Sequence, residues 1–210
     1  MSSPATQARF WDDISEKYAK SPIANQAAYE TKLSKTQELF TPDSHVLEIG
    51  CGTGSTAVIH APHVKHILAT DLSEKMIEIA RQRARDAGVE NIEFAVTSAE
   101  DLQAEDASFD VILCLSLLHL LEDPLASLQR SYALLKPGGY VVSSTAALSQ
   151  GLFHGLRLVL PIGLMLGKMP YVNMFSPARL LDWHRQAGFE IEHHWAPGAP
   201  AEFIIARKPE

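Results

Sequence analysis

The sequence predicts an α/β fold: a seven-stranded, mostly parallel sheet with helices on both faces and an antiparallel hairpin at its C-terminal end. Three observations predict it. Apolar, strand-like runs alternate with helix-like stretches between positions 46 and 145, the pattern of parallel strands joined by helical crossovers. Two closing runs, FEIEHHWA and AEFIIARK, are separated by Pro197, Gly198 and Pro200 and read as a hairpin. The first run, VLEIG, leads straight into Gly50, Gly52 and Gly54, so bare backbone and a helix start lie at a strand's carboxyl end.

The elements follow in order. Residues 5–40 read as helical, with Phe10, Trp11, Ile14 and Tyr18 on one face. The parallel strands are VLEIG, HILATD, NIEFAV, FDVILCL and YVVSST. Helical spacing fills 73–87 and 124–135, with Ser73 and Asp123 placed at the helix starts. SPARLLDWHRQAG is a helix begun by Ser176 with Pro177 in its first turn and stopped by Gly188. At 210 residues and 46% hydrophobic content the chain can bury one substantial core. It divides into N-terminal helices 5–40, a core 41–146, an inserted segment 147–175, and the last helix and hairpin 176–210.

A net charge of −7 and scattered basic residues argue against a nucleic-acid partner. The two cysteines, Cys51 and Cys114, lie far apart, which points away from a disulfide scaffold and toward a reducing, cytoplasmic setting. The start, MSSPATQARFWDD, lacks the pattern of an export signal. The apolar stretch 151–169 is interrupted by His154, Arg157, Pro161 and Lys168, short of the ~20 apolar residues a membrane span needs. It reads as a cover within the protein, with peripheral contact to a membrane surface as the second option. No metal is expected: Pro62 breaks the spacing of His60, His63 and His66, which read as a surface loop. His193 and His194 point to opposite faces of their strand.

The glycines call for a ligand with a particular chemistry. The third glycine falls one position early for G-x-G-x-x-G, and Glu48 precedes the first by two residues. A carboxylate there repels a pyrophosphate and attracts an ammonium group. Asp71 ends the next strand about 20 residues further on, where an acid accepts hydrogen bonds from ribose hydroxyls. A nicotinamide-dependent oxidoreductase is therefore disfavoured, and a ligand with a ribose and an amine is favoured.

S-adenosylmethionine meets those requirements. The motifs VLEIGCGTG, ATDLSEKMIEIAR, SAEDL, FDVILCLSLLHLLEDP and LLKPGGYVVSST, in this order, resemble the class I S-adenosylmethionine-dependent methyltransferases, within the broad group that includes ubiquinone and menaquinone methyltransferases. The resemblance implies a Rossmann-like sheet with a helical lid. It implies that Glu48 and the loop Gly50, Cys51, Gly52, Thr53 and Gly54 hold the methionine end, that Asp71 holds the ribose, and that Leu72 and Met76 flank the adenine. It further places Ser98, Ala99 and Glu100 at the adenine edge, Cys114 and Leu115 beneath the methionine portion, and Tyr18 over the cofactor. Met76 and Cys114 also suit ordinary core positions.

Ser116 faces the acceptor in the same comparison, and His119 is the candidate general base, with a packing histidine as the alternative. The acceptor lid, 147–175, is rich in Leu, Met and Phe and contributes His154, Arg157, Met165 and Phe175, which suits an apolar or aromatic small molecule. The expected reaction is in-line methyl transfer to an O, S or N atom, leaving S-adenosylhomocysteine, by a monomer or homodimer. A non-catalytic, cofactor-binding regulatory or scaffold protein is the rival reading.

Overall fold

A computed structural model of the protein describes residues 4–148, 169–198 and 200–210. The chain opens with α1 (Pro4–Ala19) and α2 (Gln26–Gln37). The helical head is broken between them at Ser21 and Pro22. The proline has no amide to donate and keeps its predecessor out of helical geometry. Asn25 restarts the helix by accepting the Ala28 amide at 3.0 Å.

The core follows as β1 (His45–Ile49), α3 (Ser55–His60), β2 (His66–Asp71), α4 (Glu74–Asp86), β3 (Ile92–Val96), β4 (Phe109–Leu115), α5 (Pro124–Leu134) and β5 (Leu135–Ala146). It closes with α6 (Pro177–Gln186), β6 (Glu190–Gly198) and β7 (Ala201–Arg207). Side-chain caps stand where the sequence places them. Ser73 accepts the Met76 amide, Asp123 that of Ala126 and Ser176 that of Arg179, each cap contributing about 1 kcal/mol.

The strands form a seven-stranded sheet in the order β3-β2-β1-β4-β5-β7-β6. All neighbours are parallel except the pairs made by β7. The chain moves outward from β1 through β2 to β3, then returns to β1's other side as β4. That reversal leaves a crevice at the carboxyl ends of β1 and β4, where open α/β sheets bind ligands. Strand β6 runs on through Pro197, because it lies at the sheet's edge and the register shifts between Trp195 and Gly198.

Alternating strand residues feed two apolar layers. Leu47, Ile49 and Ile112 pack with Leu128 of α5 and Leu180 of α6, while Val46, Val111 and Leu113 pack with Ala57 of α3 and Ile77 of α4. Burying each leucine contributes about 2 kcal/mol. His60 belongs to this interior and corrects the surface-loop expectation. It is buried, with its ring edge-on to Phe40 and Nδ1 3.4 Å from Gln37 Nε2, because the last turn of α3 tucks under α2. No helix among the described residues is long and apolar enough to cross a membrane.

One polar latch positions the N-terminal helix. Asp12 of α1 accepts from Ser73 Oγ at 2.6 Å and from the Lys75 amide at 3.2 Å, at the start of α4. A carboxylate there complements the helix's positive end. The latch holds α1 across the crevice, where Gln7, Trp11 and Tyr18 form part of its wall.

Candidate functional site

Two adjoining cavities of about 570 and 600 Å³ open at the carboxyl ends of the parallel strands, sizes suited to small ligands. Tyr18, Gly50, Gly52, Leu115 and Ser116 line both. The first cavity continues along Asp71, Leu72, Met76, Ser98, Ala99 and Glu100. The second continues along Glu48, Cys51, Thr53 and polar residues of α2 and α3.

The glycine loop has the shape that bare backbone allows. Gly54 sits at φ +70°, and a Cβ there would lie 2.7 Å from Ala80 Cβ, so close packing of the loop on α4 requires glycine. Gly52, at φ +53°, has a different reason. A Cβ there would meet only Tyr18 Cε1, at 3.7 Å, and would project into the space between loop and tyrosine. Asp71 fixes this loop: its Oδ2 accepts the Gly52 amide and its Oδ1 the Ser73 amide, both at 2.9 Å. Burial raises the Asp71 carboxyl's pKa, while these amides pull against the rise. Each oxygen retains acceptor capacity toward the cavity it lines.

Glu48 is 3% exposed, and its Oε2 has no hydrogen-bond partner among the described residues. Burial, helped by the like charge of Asp71, pushes its carboxyl up to about 8. A buried, orphaned carboxylate oxygen costs stability unless a ligand satisfies it. Tyr18 stands near both acids. The residue as a whole is 46% exposed, yet burial around its phenol, together with Asp71 and Glu48, raises the phenol's pKa and keeps it a donor.

These features fit S-adenosylmethionine. The orphaned carboxylate suits an ammonium, Asp71 suits ribose hydroxyls, and Leu72, Met76 and Ala99 supply apolar wall to an adenine. Ser98 lines the same cavity, although its hydroxyl already bonds Asp101 Oδ2 at 2.8 Å. Thr53 Oγ1 likewise accepts from Arg83 at 2.8 Å.

Three expected residues stand elsewhere. Cys114 is fully buried and faces the apolar layer beside α5, its thiol near Ser131 and pushed up to about 12 by burial. It lines neither cavity, because alternation along β4 turns it to the opposite face from Leu113 and Leu115. Phe175 is also core, its ring 4.9 Å from that of Trp183 on α6. His119 is not among the residues lining either cavity. Its Nδ1 lies 2.9 Å from Thr145 Oγ1, and burial lowers its pKa to about 4. His154, Arg157 and Met165 lie outside the described residues.

The walls also contain residues that the sequence reading passed over: Trp11, Thr97 and Leu117 in the first cavity, Tyr29, Lys32 and Thr36 in the second. The aromatic stripe of α1 signalled Trp11. Nothing local signalled Lys32, which meets β5 across the whole parallel sheet in sequence.

Comparison with known proteins points the same way. Residues 46–139 match the model of a methyltransferase domain family. A ubiquinone biosynthesis O-methyltransferase of Leptothrix cholodnii is 32% identical over 153 residues, 70% of this chain and 65% of that protein. A protein of the same name from Xanthomonas axonopodis pv. citri is 33% identical over 154 residues, 71% of this chain and 64% of that one. The chain thus spans just under two thirds of the length of these relatives. In fold, it superposes on an S-adenosylmethionine-dependent methyltransferase from Methanosarcina mazei with a TM-score of 0.70, at 21% identity over 83% of this chain and 97% of that one.

Proposed function

Because the chain belongs to the class I S-adenosylmethionine-dependent methyltransferases, we propose that it transfers the methyl group of this cofactor to a small, apolar or aromatic molecule. The observation that carries the reading is the orphaned Glu48 carboxylate oxygen, placed behind a loop of left-handed glycines whose backbone is tied to Asp71. An acid in that position rewards a cationic ligand and penalises a diphosphate. The names of the relatives favour oxygen, over sulfur or nitrogen, as the methylated atom.

When bound, S-adenosylmethionine supplies a methyl group already activated on a sulfonium sulfur. The residues of this chain then have the task of holding, aligning and drying the reactants. Glu48 receives the ammonium, and regains its charge as it does so. Asp71 accepts from the ribose hydroxyls while bracing Gly52. Leu72, Met76 and Ala99 enclose the adenine, and Ser98 and Glu100 meet its edge. Tyr18 covers the junction of the two cavities, keeping water from the place where the acceptor approaches. His119 is bound to Thr145 and positions the chain after β4; it is not offered as the base.

The test is direct. The purified protein is incubated with S-adenosylmethionine carrying a labelled methyl group and a panel of phenols, catechols, thiols and amines, followed by mass spectrometry. Label in a product, with S-adenosylhomocysteine formed in equal amount, supports the reading. Tight cofactor binding with no transfer to any class would favour the regulatory alternative.

A further inference from the structure

The loop that joins β4 to α5 forms one wall of the first cavity. Leu117, Leu120, Leu121, Glu122 and Asp123 line it. Leu117 also packs closely on the glycine loop, so that a Cβ on Gly50 would come within 2.8 Å of its Cδ1. The wall starts from strained backbone. Ser116 holds φ +57°, a left-handed conformation that a non-glycine residue keeps only where its surroundings enforce it. Two neighbours brace the loop that follows. The first is Thr145 of β5, whose Oγ1 meets the His119 amide at 3.1 Å and the His119 Nδ1 at 2.9 Å.

The second is Asn173, in the closing residues of the segment expected to cover the acceptor. Its amide donates to the His119 carbonyl at 2.8 Å. Its side-chain Nδ2 lies 3.2 Å from the Leu121 carbonyl and 3.4 Å from that of Glu122. One residue thus serves three carbonyls along a single 3₁₀ turn, Leu118–Leu120, and its exit. Asn173 is itself anchored on both sides. Beyond it, Phe175 is buried with its ring 4.9 Å from that of Trp183. Before it, Tyr171 stands by Glu122 on the cavity's rim, where burial and that charge raise its phenol's pKa. The loop therefore has two clients: Asn173 binds its carbonyls, and its leucines form the cavity wall.

We propose that Asn173 is a positioning residue that couples cofactor binding to the placement of residues 169–175, through the loop that both contact. The inference rests on the reading that the first cavity takes the nucleoside. A nucleoside packed against Leu117 and Leu121 fixes the backbone whose carbonyls Asn173 binds. Asn173, by holding those carbonyls, keeps the wall in the shape that the nucleoside fits. The coupling is reciprocal by thermodynamic necessity: the factor by which the cofactor strengthens this grip is the factor by which the grip strengthens cofactor binding. The end of the acceptor's cover is then best placed when the methyl donor is present.

Amide hydrogen exchange of the full chain, read by mass spectrometry with and without saturating S-adenosylhomocysteine, tests this in wild type and Asn173→Leu. Leucine keeps the bulk and the backbone bond and removes the Nδ2 donor; Asn173→Ala replaces it if melting curves show that the leucine variant does not fold. Peptides containing the Gly52 and Ser73 amides, which Asp71 holds, report nucleoside binding itself. The proposal predicts that in wild type the nucleoside also slows exchange over residues 169–176, by about ten-fold. In Asn173→Leu that slowing should fall below about two-fold while Gly52 and Ser73 stay protected. Calorimetry should show S-adenosylhomocysteine bound more weakly by the lost factor, about ten-fold. If the nucleoside protects Gly52 and Ser73 in wild type and leaves 169–176 unchanged, the segment is a static neighbour and the proposal fails, with the cofactor reading intact. It fails equally if the folded variant keeps the wild-type slowing or the wild-type affinity. Wild type that binds no S-adenosylhomocysteine would refute the cofactor reading, and this inference with it.

Discussion

Replacing Glu48 with Gln should make the ligand-free protein more stable and its ligand binding weaker, a combination that a structural carboxylate would not give. The side chain is buried and one oxygen lacks a partner, and its pKa rises from 4.5 to about 8. Between those values the folded state holds a proton that the unfolded chain has released, so this group makes stability fall as pH rises. The slope approaches 1.4 kcal/mol per pH unit, which amounts to about 3 kcal/mol by pH 7. Gln keeps the shape and removes the titration. Urea denaturation should therefore find wild type and Glu48→Gln similar near pH 4.5 and the variant more stable by up to about 3 kcal/mol at pH 7. Calorimetry with S-adenosylhomocysteine should show at least a ten-fold loss of affinity, about 1.4 kcal/mol, as the ligand's ammonium loses its counter-ion. A variant that is less stable at pH 7, or that binds the nucleoside as wild type does, refutes the reasoning.

Asp71→Ala removes the ribose acceptor and the anchor of the Gly52 amide together, so S-adenosylhomocysteine affinity should drop roughly 10- to 100-fold; unchanged affinity in calorimetry would sink the ribose assignment. Gly54→Ala must hold a side chain at φ +70° within 2.7 Å of Ala80 Cβ, and chemical denaturation should show a loss of about 2 kcal/mol or more; a neutral effect would mean that α4 can retreat from the loop. Burial lowers His60, His119 and His184 to about 4, so stability present above the unfolded value of 6.5 is lost as pH falls toward 4, by about 2 kcal/mol per histidine at pH 5. Measured in Glu48→Gln, which removes the opposing trend of Glu48 and leaves only that of Asp71, a flat profile between pH 6.5 and 4.5 would contradict the burial of these rings.

What the sequence revealed was whatever is written locally. The Gly50, Gly52 and Gly54 turn, the acids at Glu48 and Asp71, the caps at Ser73, Asp123 and Ser176, and the closing hairpin each depend on residue types a few positions apart. Cys114 was less legible because β4 is apolar along both faces, and a strand covered on both sides gives no alternation from which to read its direction. Phe175 lay in an apolar segment whose composition does not distinguish a ligand wall from a core contact with Trp183. Lys32 was missed for a third reason. It meets Ser144 only because α2 folds back over the sheet, and nothing on a polar helix announces a partner more than a hundred positions away.

The central claim is that the crevice between β1 and β4 is built for an adenosyl ligand bearing an ammonium and no diphosphate. Unfolding of the purified protein with S-adenosylhomocysteine or NAD, at equal concentration, tests it most directly. A ligand at about 100 times its dissociation constant adds about 2.7 kcal/mol to stability. The account predicts that increment with S-adenosylhomocysteine and none with NAD. Stabilisation by NAD alone would contradict the role given to Glu48, and a response to neither would contradict the assignment of the crevice itself.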